Sequence, residues 1–124
     1  MNEEIVETLK FTREWLELGI VPDDVLTSLE ALWLTGDDLN TEHYRWKAFV
    51  EFMEQHSVLE HDVLRRLYRL GQTDDDPSMG GAMMVEVLNR NECPKDLIYL
   101  ASESTEKFLR KVADRKIESF NKQK

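Results

Sequence analysis

The chain has 124 residues, 41% of them apolar and 33% charged, which is enough for one hydrophobic core without disulfide or metal staples. No apolar run approaches the roughly 20 residues of a membrane span. The acidic start, Met1-Asn-Glu-Glu-Ile-Val-Glu, lacks the basic and apolar regions of a secretory signal. The lone cysteine, Cys93, has no internal partner, so the expected setting is the reducing cytoplasm, away from membranes.

The net charge of −9 is unevenly placed: residues 1–62 hold 15 acids against 4 bases, and residues 63–124 hold 10 against 12. Phosphate backbones bind through Lys and Arg that displace counterions, so the first half repels nucleic acid. The bases near the end (Lys107, Arg110, Lys111, Arg115, Lys116, Lys122 and Lys124) read as a solvated terminal helix complementing its own dipole.

Almost every segment carries a helical period. A first helix is expected over 3–18, with Ile5, Leu9 and Leu16 on one side and Phe11, Trp15 and Leu18 on another. Its apolar arc, near 200°, is about twice what one neighbour covers, so either two neighbours or a second subunit must cover it, and Phe11, Trp15 and Leu18 are a candidate homodimer face. Gly19-Ile-Val-Pro22 breaks the chain. A second helix follows over 24–35, stopped by Gly36. A third spans 41–55, capped by Asn40, with Leu39 and Tyr44 as a hydrophobic staple. Ser57-Val-Leu-Glu60 has the form of a capping box opening a fourth helix, with Leu59, Val63, Leu67 and Leu70 inward and Gly71 as its stop.

Asp74-Asp75-Asp76 precedes Pro77, a favoured first helical residue, so one aspartate should cap a fifth helix over 77–90. That helix is apolar or glycine around most of its circumference (Met79 to Met84, Val85, Val87, Leu88) and belongs in the interior. Its paired glycines admit a close backbone neighbour. Pro94 opens a sixth helix over 95–102, and a seventh runs from Thr105 to about 120, with Leu109, Val112, Ala113, Ile117 and Phe120 inward. The expected architecture is a single all-α domain of six or seven short antiparallel helices over 1–124, ending in a basic, frayed tail over 119–124.

Asn91-Glu-Cys93-Pro94-Lys-Asp-Leu97-Ile-Tyr-Leu100-Ala101, followed by Leu109-Arg110-Lys-Val112-Ala113, resembles one unit of the variant leucine-rich and HEAT-like helical repeats. The resemblance covers residues 91–115. It implies stacked antiparallel helices and a protein-binding surface, and carries over no catalytic residue.

No phosphate-cradling glycine motif is present, and Gly80-Gly81 alone does not supply one. His43, His56 and His61 lack the Glu-x-x-His spacing of a helical metal site. An EF-hand loop begun at Asp74 requires glycine at Met79 and glutamate at Val85. No metal or cofactor is therefore expected. Cys93, just before Pro94 at a helix start, has the place of a thiol activated by the dipole; a semi-buried structural cysteine is the plainer reading. The most suggestive stretch surrounds one helix–helix turn: Trp33, Asp37, Asp38, Glu42, His43 and Trp46. Aromatics dominate interface hot spots and acidic rims speed capture of basic partners. Core anchors and helix caps account for the same residues equally simply.

The resulting expectation is a non-enzymatic interaction module engaging a basic protein partner through its acidic half, as a neutraliser or adaptor would. The competing expectation is a small-molecule-binding or enzymatic domain, with a pocket lined by the Met79–Met84 helix and carboxylates.

Overall fold

Glycines, prolines and capping side chains cut the chain into eight helices among residues 3–36 and 39–122, which the computed structural model describes: α1 Glu3–Thr8, α2 Arg13–Glu17, α3 Asp23–Leu34, α4 Thr41–Gln55, α5 His61–Gln72, α6 Pro77–Asn89, α7 Lys95–Ser102 and α8 Lys107–Lys122. The protein is all-α, with no strand among the described residues. Among the described residues no helix is long and apolar enough to cross a membrane. The chain groups into two compact units, Met1–Ser57 and Val58–Lys124.

In the first unit the expected helix over 3–18 is two helices. Lys10 takes a φ of +57°; its N–H reaches Glu7 O at 3.1 Å, and the Phe11 N–H reaches Val6 O at 3.0 Å. This is a Schellman stop with lysine where glycine is usual. Gly19 ends α2 the same way, at φ +76°, with Ile20 N–H bonded to Trp15 O. The wide apolar arc is thereby divided. Each short helix turns its own face inward, and Phe11 and Trp15 are 3% and 0% exposed. The candidate dimer face is therefore corrected: Phe11 and Trp15 are core, and Leu18 is half-buried. Trp15 meets the Phe49 ring edge-on at 6.5 Å and Phe11 at 5.6 Å. The Arg45 guanidinium lies 5.4 Å from its ring centre. Asn40 caps α4 as expected, its Oδ1 accepting from His43 N–H at 2.8 Å.

In the second unit α5 pairs with α6, and α7 with α8, while α6 also packs on α8. Asp76 caps α6, its carboxylate accepting from Ser78 and Met79 N–H. The buried face of α6 carries Met79, Gly80, Gly81, Met83, Met84, Val87 and Leu88, so its interior placement holds. Gly71 does not stop α5. The helix runs on to Gln72, and Gly71 instead faces Gly80, where a Cβ on Gly71 would meet Gly80 O at 2.7 Å. Two backbones touch there, as only glycine permits. Helix α8 continues through 119–122, with Lys95 Nζ 5.0 Å from the Phe120 ring centre. Of the tail, Gln123 and Lys124 lie outside the described residues.

The capping box at Ser57 does not form. Helix α5 starts at His61 behind Glu60, with no side-chain cap. The Leu59 N–H donates instead to Glu92 Oε2 at 2.8 Å, and Leu59 is drawn into the core. The same oxygen accepts from Arg90 Nε and Nη2 at 3.1 and 2.8 Å. Arg90 beside it, with the Leu59 N–H among the further donors, holds the Glu92 carboxyl down at about 2 although burial opposes this. A carboxyl so lowered contributes stability above its ordinary range and loses it as pH falls from about 4.5 to about 2. Glu92→Gln is expected to cost about 1–3 kcal/mol at neutral pH. Urea denaturation at stepped pH should show the gap between the two proteins closing below about pH 4.

Candidate functional site

The turn singled out by sequence is only partly assembled. Glu42 and His43 are exposed on the first turn of α4, where the His43 ring meets Tyr44 at 5.1 Å. Trp46 is half-buried and stacks on Phe49 at 5.9 Å and 28°, so much of its face is committed to packing. Glu42, His43 and Trp46 share one side of α4, since three and four residues bring side chains together. Trp33 is half-buried in the last turns of α3. Asp37 and Asp38 lie outside the described residues.

Charge in the first unit is more telling than any single residue. Residues 1–57 hold 13 acids against 4 bases, and the second unit holds 12 of each. The whole net charge of −9 thus belongs to the first unit. Of its four bases, Arg45 is buried at 4% exposure and Arg13 is paired with Glu17 at 3.2 Å, which leaves its surface strongly anionic.

The second unit holds a groove of about 940 Å³, near the upper end of the usual range for ligand sites. It opens where the α5–α6 turn and the α7–α8 turn come together. Met84, Gly81, Ala82 and Leu109 form its apolar floor, with Leu100 and Phe108 at its sides. Leu100 and Phe108 remain 50% and 42% exposed. Among the described residues three carboxylates line it, Asp74, Glu103 and Glu106, and no Lys, Arg or His does. Asp74 also accepts from the Asp76 N–H at 2.9 Å, which fixes the turn. Of the expected methionine cluster only Met84 reaches the groove; Met79 and Met83 are core.

The competing expectation places a pocket between the Met79–Met84 helix and carboxylates but does not name the carboxylates, because Asp74, Glu103 and Glu106 come from two turns about 30 residues apart. Phe108 was the available signal, a large aromatic one position off the inward stripe of its helix.

Cys93 is not an activated thiol. Burial pushes it up to about 11, with Asp96 and Glu92 adding to the rise and Lys116 opposing it. The low-dielectric surroundings outweigh any helix-start effect. Among the described residues no group of three His, Cys, Asp or Glu side chains is placed to hold a metal ion.

Comparison with family models, curated proteins and solved structures finds no match to this chain. The fold and the groove together define an all-α protein of two helical units, the first strongly acidic and the second neutral with an open groove.

Proposed function

We propose that the chain is a non-enzymatic interaction module of the cytoplasm whose acidic first unit captures a basic protein partner. One observation carries this reading: the entire net charge of −9 falls within residues 1–57, where one of only four cations is buried. Fields of that sign accelerate encounter with basic surfaces and fade with salt. Glu42, His43 and the free edge of Trp46 supply an anchor on α4 within this field. The resemblance of residues 91–115 to a HEAT-like unit supports the same class, because such units present helix faces to proteins.

Native pull-down at low ionic strength tests the reading. A stoichiometric basic protein is expected, with affinity falling at least tenfold as salt rises from about 50 to 500 mM, because the attraction is screened. Replacing Glu3, Glu7, Asp23 and Glu42 by their amides should weaken capture. A partner whose affinity ignores both salt and those substitutions overturns the reading.

A further inference from the structure

We propose that the groove of the second unit is a docking site for an amphipathic helix bearing lysine or arginine beside a leucine-type apolar face. The proposal deepens the reading of a basic protein partner and rests on it for the identity of the occupant as protein. The residues that line the site all belong to the second unit.

Three features select this occupant. The floor of Met84, Ala82, Gly81 and Leu109 is apolar, and Met is an adaptable lining for side chains of varied shape. Leu100 and Phe108 stay about half exposed at the sides, so the apolar surface continues past the mouth, and an elongated body covers it better than a small enclosed one. Among the described residues the formal charges lining the groove are all negative and come from both turns: Asp74 from one, Glu103 and Glu106 from the other. An apolar stripe flanked by cations matches that layout. Helices laid into grooves are read through anchors at i, i+3 or i+4 and i+7, and cations on the flanks of that stripe fall toward the two turns. Gly81 contributes by its missing side chain. The Phe108 ring tip lies 2.8 Å from where a Cβ of Gly81 would stand, so the floor stays low and Phe108 can lie over it.

The test uses the full chain and a fluorescently labelled 14-residue helical peptide of leucine and lysine in amphipathic order. Its controls are a scrambled isomer of equal composition and charge, and a leucine–glutamate counterpart. The amphipathic lysine peptide is expected to bind at least ten times more tightly than the isomer, and the glutamate peptide not at all. Ser78→Trp, on the exposed first turn of α6 at the groove wall, should weaken binding about tenfold by filling the groove. The double variant Glu103→Gln, Glu106→Gln should weaken it several-fold and reduce its salt dependence. It serves as the check if Ser78→Trp fails to fold.

Equal binding of peptide and isomer, or binding indifferent to both groove variants, overturns the groove proposal. If that residual binding is lost when first-unit acids are replaced by amides, the basic-partner reading stands without the groove. If binding is lost with groove variants and untouched by the first-unit variants, the groove stands, and the pull-down judges capture by the first unit separately. Absence of any binding at low salt overturns the groove proposal, and the pull-down then judges the first unit alone.

Discussion

Gly80→Ala is expected to cost the second unit about 3 kcal/mol, the upper part of the usual range for overpacking a filled core. A Cβ at that position would overlap the carbonyl oxygen of Gly71 and lie 3.2 Å from Asp74 Cβ. The obstacle is backbone, held by the pairing of α5 with α6, so the helices must separate for the methyl to enter. Alanine is worth about 1 kcal/mol over glycine inside a helix, and this gain is too small to offset the clash. Gly81→Ala is the control. The atoms nearest its Cβ would be those at the tip of the Phe108 ring, a half-exposed side chain that can rotate away, and the same helical gain then applies. Its stability should stay within about 1 kcal/mol of the parent. Urea denaturation of the two variants tests the contrast. Equal losses at both positions would show that the α5–α6 approach is not set by backbone contact.

Local chemistry written in neighbouring residues was legible in the sequence. Asn40, Asp76 and Pro94 mark the starts of α4, α6 and α7 because each acts within a few residues of itself. The apolar circumference of Met79–Leu88 announced an interior helix for the same reason. What failed depended on distant partners. Ser57 and Glu60 have the form of a capping box, but the Leu59 N–H finds Glu92, 33 residues on. Gly71 has the form of a helix stop, but it serves a crossing with Gly80. Lys10 has no sequence signature of a left-handed residue, so the break between α1 and α2 was invisible. The wide arc it divides therefore reads as one helix face, to be covered by two neighbours or by a second subunit. Of the groove, only the α6 side was legible: Asp74, Glu103, Glu106 and Phe108 acquire meaning only when two turns meet.

Trp15→Ala is expected to destabilise the first unit by about 3–5 kcal/mol, the range for removing a large buried aromatic. The indole is fully enclosed, and its loss leaves a void bounded by Phe11, Phe49 and Arg45. Part of the loss is electrostatic. The Arg45 guanidinium, itself 4% exposed, sits over the ring at 5.4 Å, and such a contact is worth roughly 2 kcal/mol or more when desolvated. Trp15→Phe keeps a ring under the guanidinium and should recover a substantial part of the loss. Against a typical total of about 5–15 kcal/mol, the alanine variant unfolds at markedly lower urea, followed by the fluorescence of Trp33 and Trp46. Sedimentation of the same variant separates this account from a subunit interface. An interface residue would give a folded protein of reduced mass with its stability retained. A core residue gives unchanged mass under native conditions and an early unfolding transition, and this is the outcome that the burial of Trp15 requires.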